Sequence, residues 1–127
     1  MSDTSDENKA LTIKFFEEVF NNANLSAIDD LLSPNYLYNG QPSSVADNKA
    51  WVTSLHKQFP GLRFVIEAIL AEDAMVALRW RMDAPASGQR PAGYQTGTNI
   101  LTFVAGQALT NDQDGKTSDS WTTPSPA

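Results

Sequence analysis

The chain has 127 residues, of which 41% are hydrophobic, so its length suits one domain with a single core. The 15 acidic and 9 basic residues give a net charge of −6. This balance argues against nucleic acid or an anionic membrane surface as a partner, because both attract basic patches. The absence of cysteine excludes disulfides, thiolate metal sites and a cysteine nucleophile.

We expect one domain over residues 1–127, with a polar leader at 1–7 and a tail at 124–127. The start "MSDTSDENK" is polar and acidic, unlike a signal peptide, and no apolar run approaches the length of about 18 residues that suggests a membrane span. These features predict a cytoplasmic protein.

Three helices are predicted in the first half of the chain. In "NKALTIKFFEEVFNNA" apolar residues recur at helical spacing, and Asn21-Asn22 ends the run. "LSAIDDLLSP" indicates a short second helix that Pro34 stops. A third helix is predicted from about Val45 to Phe59, closed by Pro60-Gly61.

The second half of the chain changes to the alternating pattern of strands. A short strand over 36–38 ends in an Asn-Gly turn, and two long strands follow over 62–73 and 74–84. A Pro/Gly loop at 85–97 leads to a strand at 98–106, a polar turn at 107–115 with a short strand in "QALT", and a last strand at 116–123. The order predicts an α+β fold, with three N-terminal helices packed on a curved antiparallel sheet and a cleft between them.

The segments "NKALTIKFFEEVFNNANLSAIDDLLSPNYLYN", "FPGLRFVIEAILAEDAMVALRW" and "DGKTSDSW" together resemble the SnoaL-like polyketide cyclase family of the NTF2-like superfamily. The resemblance covers nearly the whole chain and implies a cone-shaped fold, a homodimer and chemistry without a metal or organic cofactor. The superfamily includes cyclases, isomerases, epoxide hydrolases and non-catalytic binding domains, so the fold alone does not choose among them.

Two functional positions of the cyclases are occupied here by residues that do not titrate near neutral pH. The aspartate of the last strand corresponds to Thr122, and a histidine of the preceding strand corresponds to Asn99. Neither side chain can act as a general base. On the last strand Ser120 shares the face of Thr122, so hydroxyl groups would form that part of the cavity wall.

The epoxide hydrolases of the superfamily suggest a different set of catalytic residues. They carry an Arg-x-Asp pair on a middle strand, which "RMD" matches at Arg81 and Asp83, and a Tyr/Asn pair that orients water, which Tyr38 and Asn39 resemble. The pair Arg81 and Asp83 points to one side of a strand, where it could polarise a leaving oxygen and activate water. The alternative is a surface ion pair.

Further ligand-binding candidates have simpler structural explanations beside them. Tyr36 points to the same side as Tyr38; a pocket-lining phenol and a buried aromatic are equally good interpretations of Tyr38, whereas a buried aromatic is the better interpretation of Tyr36. Trp51 is expected at the pocket or in the core. His56, the only histidine, titrates nearest neutral pH, but lies between an apolar stripe and Lys57, as a boundary residue would. Arg79 could bind a carboxylate.

The sequence therefore predicts a protein that binds a small, mostly apolar organic molecule in the cone. Cyclase, isomerase or hydrolase chemistry on a polyketide-like or terpenoid-like compound is one form of this function. The alternative is a non-catalytic binding or dimerisation module that lacks the family's acid/base residue. Proximity of Asp83 to Tyr38 in a deep pocket would favour an enzyme, whereas an Asp83 exposed on the rim would not.

Overall fold

The computed structural model describes residues 4–114. Helix α1 spans Thr4–Lys14 and runs directly into a π-helical turn at Phe15–Asn21. A 3₁₀ turn at Leu25–Ala27 leads into the short helix α2, Ile28–Leu31, and helix α3 spans Val45–Gln58. The three predicted helical regions are present, and the first begins at Thr4, so part of the predicted polar leader is helical.

Six strands form one sheet in the order β2-β1-β6-β5-β4-β3. Their bounds are β1 Leu32–Tyr38, β2 Gln41–Pro42, β3 Arg63–Glu72, β4 Met75–Ala84, β5 Gly93–Val104 and β6 Gln107–Asp114. The pair β1 and β6 is parallel, and all other neighbours are antiparallel, so the sheet is mixed rather than wholly antiparallel.

Two boundaries differ from the sequence prediction. The segment read as a polar turn is strand β6, whose backbone pairs with both β5 and β1. Strand β5 begins at Gly93, so the Pro/Gly loop is shorter than expected. Both segments have polar side chains that suggest a loop. Backbone hydrogen bonds to the neighbouring strands nevertheless keep them in an extended conformation. The strand predicted at 116–123 lies outside the described residues.

The helices cover one face of the sheet and enclose the core there. Along β4 the residues Val76, Leu78, Trp80 and Met82 are buried, while their neighbours in sequence lie on the opposite, outer face. Paired residues on neighbouring strands share a face of the sheet, so the inward-facing side chains continue from Leu78 on β4 to Asn99 on β5 and Gln113 on β6. This alternation decides which side chains can reach the space beneath the helices.

Trp80 needs a glycine on the neighbouring strand. A Cβ atom placed on Gly97 would lie 2.3 Å from Cζ2 of Trp80, well inside contact distance. Because Gly97 has no side chain, the indole ring lies against the backbone of β5 and remains fixed there. Within residues 4–114, no helix is long and apolar enough to cross a membrane.

Candidate functional site

A cleft opens between the sheet and the helices, over the inward face of β4, β5 and β6. Its cavity volume is about 20 Å³, and the cleft is partly open to solvent. Aromatic rings and amide side chains line it: Phe16, Phe20, Tyr38, Asn48, Trp51, Phe64, Trp80, Asn99, Asn111 and Gln113. Such a mixture of apolar walls and a few placed polar groups is typical of sites for small organic ligands.

The π-helical turn supplies two of the rings. It widens the helix after Lys14, and its closing hydrogen bond runs from the Asn22 N–H to the Glu17 carbonyl oxygen at 3.0 Å. Phe16 and Phe20 both reach the cleft, with their ring centroids 5.1 Å apart. Single π-helical turns inside helices are frequent at functional sites, and here the turn carries part of the cavity wall.

Asn21 fixes this turn to the edge of the sheet. Its Nδ2 donates to the Phe64 carbonyl oxygen at 3.0 Å, and its Oδ1 accepts from the Phe64 N–H at 2.6 Å. Strand β3 is an edge strand, so the amide replaces the missing neighbour at one residue. The Phe64 ring consequently lies 5.0 Å from both Phe20 and Trp80, measured between ring centroids.

A chain of buried hydrogen bonds forms the floor of the cleft. The Trp80 Nε1–H donates to Asn99 Oδ1 at 2.6 Å, and Asn99 Nδ2 donates to Asn111 Oδ1 at 2.6 Å. Each amide is therefore held in one orientation by its neighbours. The chain presents polar groups to the cleft without placing a charge there.

Tyr36 lies behind this floor and not among the residues that line the cleft. The side chain is almost fully buried. Burial raises the pKa of Tyr36 to about 12. Tyr36 thus stays protonated well above neutral pH.

Tyr38 lines the cleft beside Gln113, as the sequence suggested that it would reach a pocket. Its hydroxyl donates to Gln113 Oε1. Burial raises the pKa of Tyr38, so at neutral pH the phenol is a hydrogen-bond donor and not a base. Asn39 is outside the lining: its Oδ1 accepts from the Gln113 N–H at 2.7 Å, which ties the Asn-Gly turn to β6.

Helix α3 closes the cleft from the side with Asn48 and Trp51. Trp51 is 41% exposed and meets the Phe20 ring edge-on, with the centroids 5.5 Å apart. Asn48 is 9% exposed, and its Oδ1 has no hydrogen-bond partner. His56 does not line the cleft, and its Nε2 lies 2.7 Å from the Phe20 carbonyl oxygen, to which it must donate. His56 therefore holds α3 against the π-helical turn.

The charged candidates lie on the other face of the sheet. Arg81 and Asp83 form an ion pair with each other, with Nε and Oδ1 separated by 3.0 Å, and both side chains are nearly half exposed. Arg79 pairs with Glu67 at 3.3 Å on the same outer face. Because these residues alternate with the buried Trp80 and Met82, the structure does not bring them to Tyr38 or to the cleft.

Of the predicted site residues, Tyr38, Trp51 and Asn99 meet in the cleft, whereas Ser120 and Thr122 lie outside the described residues. The structure adds seven lining residues that sequence reasoning did not select as site residues: Phe16, Phe20, Asn48, Phe64, Trp80, Asn111 and Gln113. Trp80 is both a buried core residue and part of the cleft lining. Asn111 and Gln113 were not selected because they lie in the segment 107–115, which was interpreted as a polar turn.

Comparison with known proteins agrees with the fold. The model of the SnoaL-like polyketide cyclase family matches residues 10–122, and the chain belongs to this family. No curated protein sequence gives a match.

Three solved structures share the architecture. A candidate polyketide cyclase from Acidithiobacillus ferrooxidans is 23% identical with a TM-score of 0.75, over 91% of this chain and 92% of its own. AclR, a candidate hydroxylase from Streptomyces galilaeus, is 23% identical with a TM-score of 0.75, over 91% and 82%. A SnoaL-like polyketide cyclase from Agrobacterium tumefaciens is 14% identical with a TM-score of 0.75, over 86% and 91%.

The chemistry available in the cleft follows from its lining. Among the lining residues within 4–114 there is no carboxylate, imidazole or ammonium group, and the one titratable side chain, Tyr38, has a raised pKa. In the same part of the chain, no three His, Asp or Glu side chains are grouped so that they could hold a metal ion. These residues can stack on a ring and exchange hydrogen bonds with neutral groups.

Proposed function

We propose that the protein binds a small, neutral, largely apolar organic molecule in the cleft beneath the helices. The observation that carries this proposal is the lining itself: rings on several sides, amides on the floor, and no charged side chain among the described lining residues. The cavity volume of about 20 Å³ holds about one water molecule, so binding of a ring-sized molecule requires the lining side chains at the open side of the cleft to move apart.

The family membership makes a polyketide-like compound the first class to consider, with a terpenoid-like compound as the other. We do not place a catalytic step on Arg81, Asp83 and Tyr38, because the ion pair and the phenol lie on opposite faces of the sheet. Binding without catalysis by the described residues is the form of the function that the lining supports.

A second groove competes for the same ligand and has to be distinguished. It lies on the outer face, is lined by Leu70, Met75, Ala77 and Ile100 among others, and is larger, with a volume of about 630 Å³. That groove is shallow and open, and its lining includes the charged Glu72 and Asp73. We place the ligand in the cleft because its lining combines aromatic rings with buried amides and carries no charged side chain among the described residues.

A titration with 2-naphthol, followed by the backbone and indole N–H resonances in ¹H–¹⁵N correlation spectra, tests the proposal. We expect the resonances of Phe20, Trp51 and Gln113 to shift together, and those of Ile100 and Met75 to stay in place. Shifts confined to the outer groove, or no shifts at millimolar 2-naphthol, would contradict the proposal.

A matched pair of variants refines the same titration. Trp51→Ala removes a half-exposed ring from the mouth of the cleft and should weaken 2-naphthol binding roughly five- to tenfold, the effect of one lost aromatic contact. Ile100→Ala removes an exposed apolar side chain from the outer face and should leave the Kd unchanged. Equal effects of the two variants would contradict the assignment of the site.

We also propose that the protein is a homodimer whose subunits meet through the outer face of the sheet. Six large apolar side chains are exposed on this face: Val65, Leu70, Met75, Tyr94, Ile100 and Val104. Leu70, at 72% exposed, Ala77 and Ile100 follow one another across three strands, and a second copy would remove them from water. Sedimentation of the wild type and of Ile100→Glu tests this, with a dimer expected for the first and a monomer for the second.

A wild-type protein that sediments as a monomer at tens of micromolar would contradict the dimer and leave the ligand site untouched. The cytoplasmic location expected from the sequence stays a prediction.

A further inference from the structure

The side-chain amide of Asn48 has an oxygen that takes no part in the hydrogen bonds of the cleft. Asn48 lies in the first turns of α3, and its backbone N–H donates to the Ser44 carbonyl oxygen at 3.0 Å. The backbone is therefore satisfied. The side-chain Oδ1 is buried against the cleft and accepts no hydrogen bond.

The other polar groups of the cleft are bound to one another. Trp80 donates to Asn99, Asn99 donates to Asn111, and Tyr38 donates to Gln113. Among the buried side-chain atoms of the described lining residues, Asn48 Oδ1 is the one without a partner. A buried acceptor left unpaired destabilises the folded protein, whereas an apolar side chain of similar size would not.

Building on the proposed function, we infer that Asn48 selects ligands that carry a neutral hydroxyl group, which donates its hydrogen bond to Oδ1. A carbonyl oxygen of an amide accepts and cannot donate, so the ligand must supply the hydrogen. The absence of cationic side chains from the described lining favours a neutral O–H over an ionised one. Phe20 and Trp51 line the same cleft as Asn48, which favours a hydroxyl attached to a flat ring, as in a phenol.

Phenol and toluene form an isosteric probe pair for this hydroxyl. The two rings fill the same space, and only phenol can donate. Dissociation constants come from the shifts of the Phe20 and Gln113 amide resonances, measured with the wild type, Asn48→Leu and Asn35→Leu. Asn35 is an exposed amide on β1 and serves as the matched control.

We expect the ratio of the toluene Kd to the phenol Kd to fall about fivefold in Asn48→Leu relative to the wild type, the value of one neutral hydrogen bond. The ratio should not change in Asn35→Leu. Anisole, which accepts but cannot donate, should show no preference that depends on Asn48.

The outcomes separate this inference from the function on which it rests. If phenol and toluene both bind in the cleft and Asn48→Leu changes their dissociation constants by the same factor, the inference is overturned and the ligand site stands. If neither probe shifts cleft resonances of the wild type, the ligand site itself is overturned. An Asn48-dependent preference for anisole would also overturn the inference, because the amide N–H would then be the contact.

Discussion

The two faces of the β3-β4-β5 sheet differ in the kind of polar group that they carry. The inward face has amides and aromatic rings joined by short hydrogen bonds, such as Trp80 to Asn99. The outer face has ion pairs, such as Arg81 with Asp83, set among exposed apolar side chains. The same strands build both faces, since side chains alternate along a strand.

The charged side chains Arg79, Arg81 and Asp83 therefore did not indicate the position of the cleft. Ionisable side chains are costly to bury without a partner, so on an isolated strand they are more simply explained by exposure. Amides can be buried when they bond to one another, and they then form a neutral floor that favours an uncharged ligand. In the described residues the amides mark the cleft that we propose as the ligand site, and the ion pairs mark the outer face.

The largest expected contrast lies between two neighbouring residues on β4. Trp80→Ala removes a buried ring and leaves Asn99 without its donor, so it should lower the free energy of unfolding by about 3–5 kcal/mol. Arg81→Ala removes a half-exposed ion pair and should cost less than about 1 kcal/mol. Urea unfolding of both variants measures the difference, and similar losses would show that β4 is not divided into an inner and an outer face.

A pH titration of stability tests the burial of Tyr36. Its pKa is about 12 in the folded protein, against 10.0 for an ordinary tyrosine. The unfolded chain therefore loses the proton first, so the stability is complete below pH 10 and falls as the pH rises towards 12. From the linkage constant the loss is about 2–3 kcal/mol.

Tyr36→Phe should flatten this dependence in urea unfolding experiments between pH 9 and 11.5. Tyr94→Phe, a change on the outer face, should not. A wild-type stability that stays level over this range would contradict the burial of the phenol.

The amide floor can be broken at its centre. Asn99→Ala leaves both the Trp80 indole N–H and the Asn111 Oδ1 without partners, which should cost about 1–3 kcal/mol. The preceding residue provides the control, because Thr98 is exposed on the outer face and Thr98→Ala should stay within about 0.5 kcal/mol of the wild type. The indole resonance of Trp80 should also move in Asn99→Ala, and an unchanged resonance would count against the hydrogen bond.

The smallest effect is expected at Asn48, with the opposite sign. Asn48→Leu replaces an unpaired buried acceptor by an apolar group, so the ligand-free protein should keep its stability or gain up to about 1 kcal/mol. Thermal unfolding of this variant and of Asn35→Leu measures the change. A clear loss of stability confined to Asn48→Leu would show that the amide has a structural partner.

Much of the fold was predictable because its signals are local. The helical spacing up to Phe20, the helix between Val45 and Gln58 and the alternation along β4 are each confirmed. Strand β6 was not recognised, for a physical reason. A bulge at Leu109 shifts the register between β5 and β6, so the buried residues Ala108 and Asn111 are three apart, and the period of two is lost.

The site was less predictable because it depends on contacts between distant segments. Asn21 with Phe64, Asn39 with Gln113 and Tyr38 with Gln113 are each separated by more than 40 residues. No local sequence pattern predicts that Asn99 on β5 will form a hydrogen bond with Asn111 on β6. Amides that bond to one another are buried more readily than unpaired charged groups. This rule would have favoured the asparagines over the charged residues as lining of the cleft.

A crystal structure of the protein grown with 2-naphthol tests the central claim most directly. We expect the ligand at the open side of the cleft, with its ring against Trp51 and its hydroxyl within hydrogen-bond distance of Asn48 Oδ1. A ligand seated instead on the outer face, against Leu70, Met75 and Ile100, with the cleft empty, would contradict it.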